Sequence, residues 1–246
     1  MSSLSATLVV GATGATGRHV VQQLLDLDRP VRVIVRSKAR MLEALHDKSK
    51  AEKLLTVKEA SLLDLSDDEL QHEVDQVDAV VSCLGHNLTF KGIWGKPRRL
   101  VTDSVQRLTR MLAASKTKKK FLLMSSDGVT HPADDQRSRT ERFVLFLLRH
   151  LVPPHADNEQ AAAYLLDAVG TGNMEWVAIR PTDLIDGDAT EYKLMDKPPG
   201  GLFGDGVATR ANVAKCMVDM IKDDKLFQEY KGRMPVLHDA VQPKKK

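Results

Sequence analysis

The chain has 246 residues, 42% of them apolar and 28% charged, with a formal net charge of +3. That apolar fraction excludes disorder as the main state, and the length suits one large domain, at ~100–200 residues per domain, or one with a small appendage. The longest unbroken apolar run, Phe143–Leu148, falls far short of the ~20 residues of a membrane span, and aromatics at 4% argue against a stacking platform for single-stranded nucleic acid.

Lys244, Lys245 and Lys246 supply the whole net charge, leaving a neutral body without a nucleic-acid footprint. The two cysteines, Cys83 and Cys216, give neither a disulfide framework nor a metal spacing, so no metal is expected. Met1–Ala6 carries no basic segment ahead of the apolar Ala6–Val10, so a secretory leader is not expected. A reducing, cytoplasmic setting fits.

Thr7–Val10 reads as a buried strand, followed by glycines and a helix from about Ala15 to Leu27, with Val20, Val21, Leu24 and Leu25 on one stripe. Val31–Val35 is the second strand. A helix near Ala39–His46, a lysine-rich turn and a third strand at Leu54–Lys58 come next. Ser66-Asp-Asp-Glu69 has the pattern of a capping box opening a short helix to about Val74. Asp78–Leu84 is an almost wholly apolar fourth strand, as parallel strands covered on both faces are.

Gly85–Pro97 shows no period, and its Phe90, Ile93 and Trp94 would suit a loop covering a bound cofactor and substrate. Arg98–Ser115 is a helix, Phe121–Met124 a fifth strand, and Thr140–Leu151 a helix stopped by Pro153-Pro154. A further helix spans Asp157–Val169, with Asp157 as its N-cap. Trp176–Ile179 is a sixth strand, Gly200–Gly206 a glycine-rich loop, Arg210–Ile221 a helix and Met234–Leu237 a last short strand. The alternation predicts a doubly wound parallel α/β sheet of the Rossmann kind with right-handed crossovers, a single domain 1–246 with core 1–180 and a substrate-side C-terminal segment 181–246.

Gly11-Ala-Thr-Gly14-Ala-Thr-Gly17 lies between the first strand and its helix, the context in which a glycine triplet binds a dinucleotide. Gly11 permits the tight turn, Gly14 lets a pyrophosphate approach, and Gly17 allows close helix–strand contact. Thr13, Ala15 and Thr16 belong to the same phosphate-facing turn, where the helix start offers free N–H groups to an anion. Arg36 ends the second strand 19 residues past Gly17. An NAD site usually has Asp or Glu here, whereas Arg suits the 2′-phosphate of NADP. With Arg40 a turn later, NADP is the expected cofactor and NAD the alternative.

The sequence resembles an atypical short-chain dehydrogenase/reductase of the NmrA-like, NAD(P)-binding type over essentially its whole length. The residues that carry the likeness are Gly11–Gly17, Arg36, Asp64-Leu65, Ser82–Gly85, Ser125-Ser126, Ile179–Pro181 and Val207–Ala214. Its first half and strand order are also similar to flavin-reductase-type biliverdin reductase. The resemblance implies that Asp64 and Leu65 meet the adenine, that Leu84 and Gly85 flank the adenosine ribose, and that Pro181 lies beside the nicotinamide.

Members that transfer hydride by the usual route pair Tyr with Lys four residues later, the Lys lowering the phenol pKa. None of the three tyrosines here has Lys at that spacing: Tyr164 is followed by Ala168, Tyr192 by Asp196 and Tyr230 by Met234. By register, Ala156 stands near the Tyr position and Gln160 near the Lys. Ser126, or its neighbour Ser125, ends the fifth strand where the family places its substrate-orienting serine. His155 could supply a proton, since its unperturbed pKa is ~6.5; the alternative is a surface residue. His86 and His131 are weaker candidates on the same edge.

Three functions fit these residues. The first is an NADPH-dependent oxidoreductase of a small or planar apolar substrate, and the second a non-catalytic NADP-binding redox regulator. An epimerase is the third and weakest. The apolar Phe143–Leu148 helix could meet the pocket or a second copy of the chain, so self-association is a further expectation.

Overall fold

The computed structural model describes residues 6–86, 94–132, 134, 137–167, 173–198, 204 and 206–241. The expected loops at Gly85–Pro97 and Gly200–Gly206 therefore lie largely outside the described residues. The strands are β1 (Thr7–Val10), β2 (Val31–Val35), β3 (Leu55–Glu59), β4 (Ala79–Ser82), β5 (Lys119–Met124), β6 (Met174–Pro181), β7 (Asp183–Ile185), β8 (Tyr192–Met195), β9 (Val207–Thr209) and β10 (Val236–Asp239). The helices are α1 (Gly17–Asp26), α2 (Lys38–Glu43), α3 (Lys48–Leu54), α4 (Asp67–Asp75), α5 (Leu100–Ala114), α6 (Arg139–Leu151), α7 (Pro153–Asp167), α8 (Arg210–Lys222) and α9 (Asp224–Tyr230).

Eight strands form one sheet in the order β3-β2-β1-β4-β5-β6-β10-β8, and β7 pairs with β9 separately. Every neighbour in the large sheet is parallel except β10–β8, which is antiparallel. The fold is thus a mostly parallel, Rossmann-like α/β domain. The order in which strands are added reverses between β1 and β4, which opens a crevice at the strands' carboxyl ends where ligands of such sheets bind.

Alternation along each strand builds both faces. Val9, Val33, Val81, Leu122 and Val177 pack with Val20, Leu24 and the buried side of α8. Leu8, Val10, Val80, Phe121 and Trp176 pack instead with Leu70, Leu108 and Leu165 of the helices on the opposite face. Both sets are almost fully buried, and each such side chain contributes ~1.5–3 kcal/mol relative to exposure.

Two capping boxes start helices cleanly. Ser66 and Glu69 exchange side-chain bonds with each other's backbone at α4, and Ser138 and Glu141 do so at α6. Several expectations need correction. The lysine-rich turn is α3, because the Asp47 carboxylate accepts from the Lys50 N–H and caps it. β7, β8 and β9 went unpredicted; they are short strands without a full apolar run, and β7 and β8 are partly exposed. α7 begins at Pro153 rather than Asp157, since proline fits a first turn that needs no N–H acceptor.

At the end of β6, Arg180 is fully buried. Its guanidinium pairs with Asp134 at 2.6 and 3.0 Å and donates to the carbonyls of Val129, Met234 and Asp196. Among the described residues no helix is long and apolar enough to cross a membrane.

Candidate functional site

The glycine loop joins β1 to α1 with no room for side chains at two points. Gly11 adopts φ +75°, and a Cβ there would lie 2.5 Å from the Cys83 carbonyl carbon; on Gly17 it would lie 2.2 Å from the Gly11 oxygen. Gly14 donates its N–H to the Gly11 carbonyl at 2.9 Å and receives the Arg18 N–H at 3.1 Å. Thr13, Gly14 and Ala15 are exposed, and the amides of Thr13, Ala15 and Thr16 have no backbone acceptor among the described residues. Thr16, buried at the N-cap of α1, makes no side-chain cap bond, and no acid occupies the first turn. Free amides at a helix N-terminus behind a glycine-punctuated turn are the kind of group that binds phosphates.

Across the crevice, Arg36 leaves the end of β2 exposed to solvent, and Arg40 is exposed on α2. Ser37 caps α2 by accepting the Arg40 N–H. Glu59, paired in register with Val35, turns its carboxylate to the Lys38 N–H at 3.0 Å. Asp64 is exposed after β3 while Leu65 is buried beneath it. Leu84 is half-buried and Gly85 exposed at the end of β4, where a Cβ would meet nothing within 4 Å.

The ends of β5 and β6 form the other half of the crevice. Ser125 N–H donates to the Ile179 carbonyl at 2.8 Å and Asp127 N–H to the Pro181 carbonyl at 3.1 Å, so Pro181 lies beside the two serines. Ser125 is 7% exposed, and its hydroxyl has no hydrogen-bond partner among the described residues. Ser126 Oγ accepts the Gly128 N–H at 3.2 Å. A Cβ on Gly128 would stand 3.5 Å from both Ser126 Oγ and His155 Cε1. The turn therefore brings Ser126 and His155 to the same point, though Pro153 and Asp127 lie far apart in sequence. His155 Nε2 stands 3.5 Å from Glu159 Oε1, not aligned as a hydrogen bond. Its side chain is 12% exposed, so it is no surface histidine.

Asp157 is not the N-cap that the sequence suggested. It sits inside α7 and is 1% exposed. Its carboxylate reaches across to α5, accepting the Val101 N–H at 2.8 Å, the Thr102 N–H at 2.9 Å and the Thr102 hydroxyl at 2.6 Å. His86 Nε2 approaches the same carboxylate at 2.8 Å, with the ring almost wholly buried. Burial pushes the Asp157 carboxyl up, but the bonds from His86, Thr102 and Val101 more than reverse this and hold it below the usual range. The pair lies one residue beyond Gly85. The sequence signal was only a histidine following the glycine that ends a strand; its carboxylate partner, 71 positions away, had none.

Asp127 was missed as well. Burial, and then repulsion from Asp183, push its carboxyl up to about 6. A carboxyl in that range at the edge beside Ser126 can hold a proton near neutral pH. His131 lies on the same connection; burial and then Arg180 lower its pKa.

The positions that would hold Tyr and Lys do other work. Gln160 Oε1 accepts from Arg99 Nη1 at 2.8 Å. Tyr164 Oη accepts from the Thr109 hydroxyl at 3.4 Å, and Tyr192 donates to Asp219 at 3.1 Å. Cys83 packs on Met217 at 3.8 Å, and burial pushes its thiol up to about 12, which makes it a core residue without nucleophilic character. Among the described residues no group of three or more His, Cys, Asp and Glu could hold a metal ion.

Known proteins of this architecture are numerous. The chain is similar to an isoflavone reductase of Cicer arietinum, 30% identical over 132 residues that cover 49% of this chain and 38% of that protein. It thus spans well under half the length of that relative. Among solved structures, a protein from Lactobacillus casei superposes with a TM-score of 0.72 at 21% identity, covering 96% of this chain and 100% of the other. An anaerobillin reductase from Escherichia coli O157:H7 superposes with a TM-score of 0.66 at 17% identity, covering 98% and 99%. These structures share the fold. A family model described as NAD(P)H-binding matches residues 11–224, from the first glycine of the loop to the start of α9, and the chain belongs to that NAD(P)H-binding family.

Proposed function

We propose that this protein is an NADPH-dependent oxidoreductase acting on a small or planar substrate at the β5–β6 edge of the crevice. The observation that carries the reading is the gathering of Ser126, His155 and the buried Asp127, its carboxyl pushed up to about 6, around Gly128 and beside Pro181. Names among the relatives, an isoflavone reductase and an anaerobillin reductase, support reduction as the reaction class. The bound dinucleotide would supply the hydride.

This chain's own residues would do the rest. Thr13, Ala15 and Thr16 offer amides to the pyrophosphate, with Gly11, Gly14 and Gly17 keeping side chains out of its way. Arg36 and Arg40 would face the 2′-phosphate, because the nearest strand-end carboxylate, Glu59, is engaged by the Lys38 N–H. Asp64 and Leu65 would border the adenine, and Leu84 and Gly85 the ribose. Ser126, or Ser125 with its unspent hydroxyl, would orient the substrate's polar atom. His155 or Asp127 would deliver the proton, in place of the Tyr–Lys pair that the sequence lacks. A cytoplasmic setting goes with this reading.

A second reading is a binding regulator without turnover, favoured by the use of Gln160 and Tyr164 in structural contacts. Calorimetric titration with NADPH and NADH, together with NADPH oxidation on a quinone and flavin panel, decides between them. Binding with oxidation supports the enzyme. Tight binding with no oxidation by any substrate supports the regulator, and no binding sinks both.

A further inference from the structure

A second concavity among the described residues lies beside the proposed dinucleotide crevice and carries charge. It is a groove of about 910 Å³ between the connection after β5 and the outer face of α6. Its size is within the ~300–1,000 Å³ of small-molecule sites. Arg137, Arg139, Arg142 and Arg149 line it together with Phe143 and Phe146.

Arg137 makes the groove more than a basic surface. Its side chain is only 7% exposed, and Nη2 donates to the Asp127 carbonyl at 2.8 Å. Nε and Nη1 are buried without a hydrogen-bond partner among the described residues, and the Glu141 carboxylate stands 4.0 Å from Nη1. Stranded N–H groups on a buried cation are costly, and an oxyanion reaching Nη1 relieves part of that cost through a charge-assisted bond. Arg139 and Arg142 are exposed on the same wall. Arg149 is already held by Glu159 at 2.6 and 2.8 Å. Among the described lining residues the one carboxylate, Asp134, has both oxygens taken by Arg180.

The other half of the lining is apolar. Phe143 and Phe146 are 61% and 52% exposed, unusual for large apolar residues beside a cluster of arginines. We infer that the groove binds a planar aromatic molecule carrying a carboxylate or phosphate, its anion on Arg137 and its rings on Phe143 and Phe146. Because Arg137 also holds the carbonyl of Asp127, next to Ser126, the anchored molecule lies beside the proposed site of reduction. Its identification as the substrate rests on that proposal; its binding does not.

The test uses the full chain without dinucleotide and two isosteric probes, 2-naphthoate and 2-naphthamide, titrated calorimetrically at low salt. The expected result is at least tenfold tighter binding of the acid, a preference that shrinks as salt rises. Arg137→Gln should abolish the preference, and Arg142→Gln and Phe143→Ser should each weaken naphthoate severalfold. Arg142→Gln changes an exposed side chain, so it decides the matter if Arg137→Gln does not fold. Equal affinity for acid and amide overturns the inference, as does an unchanged preference in Arg142→Gln and, where it folds, Arg137→Gln. So does a dimer that Phe146→Ser dissociates, because the groove would then be covered by a second copy. NADPH binding followed by its own fluorescence separates the two proposals: if it fails while naphthoate binds, only the oxidoreductase reading falls.

Discussion

Asp157→Ala should be among the most damaging substitutions in the crevice, and its cost follows from what the carboxylate holds. The group is 1% exposed and takes the Val101 and Thr102 amides, the Thr102 hydroxyl and His86 Nε2. Truncation strands two first-turn amides of α5 that cannot rotate away, at about 1–3 kcal/mol each. Release of a buried carboxylate offsets part of this, and the expected net loss is about 3–5 kcal/mol, as when one partner of a buried pair is removed. Asp157→Asn keeps one acceptor oxygen but turns an NH₂ toward donors, and should cost less.

The carboxyl is held below its unfolded pKa, so its stabilisation is complete above about pH 4 and is lost as pH falls through the native value. Urea unfolding followed by circular dichroism at pH 7 gives the loss, and a pH series below 5 gives the slope. An Ala variant within about 1 kcal/mol of the parent, or one that keeps the parent's acid slope, would refute the reasoning.

Arg36→Asp should weaken NADPH much more than NADH, by about 2–4 kcal/mol, a phosphate partner being exchanged for a repelling charge; equal losses in calorimetry would mean that Arg36 does not read the 2′-phosphate. Gly14→Val should abolish dinucleotide binding with the fold retained by circular dichroism, since the position is exposed in the glycine turn and its Cβ would meet the Gly11 oxygen at 3.0 Å and the Cys83 oxygen at 4.0 Å. Ser126→Ala should lower kcat about 10–1000-fold with NADPH affinity unchanged, and Ser125→Ala is compared with it because the unspent hydroxyl belongs to Ser125. If Asp127 is the proton donor, turnover should fall as pH rises through about 6, where its carboxyl ionises, and Asp127→Asn should remove that limb. A profile that keeps the limb in Asp127→Asn passes the role to His155.

The alternating strand order was readable because β1, β4 and β5 are runs that bury both faces, and such runs cannot be mistaken for surface helices. The glycine loop was equally plain, since it follows a strand and its spacing leaves no place for side chains. Cys83 is a core residue for the simple reason that it continues an apolar strand. The pairs that complete the crevice were not legible. Asp157 looked like a local cap after two prolines, and nothing near it in sequence announces that it caps a different helix. Asp127 acquires its raised pKa from burial first and from Asp183 second, and its local sequence shows neither. Short β8 became a strand only because β10 offers it an antiparallel edge from Tyr192 to Met195.

Arg180 carries a consequence for mutagenesis at this edge. The Arg-Pro pair resembles a nicotinamide-side element, yet the guanidinium points into the protein and ties three stretches of chain to β6: the connection after β5, the turn after β8 and the approach to β10. One of those stretches, through Asp134, is a wall of the arginine groove. The groove and the serine edge are consequently riveted to one strand, and distance between them is set by a single side chain that touches neither ligand. Activity lost at Arg180 would report the failure of that rivet, which Arg180→Lys, with one cationic nitrogen for five contacts, could not replace.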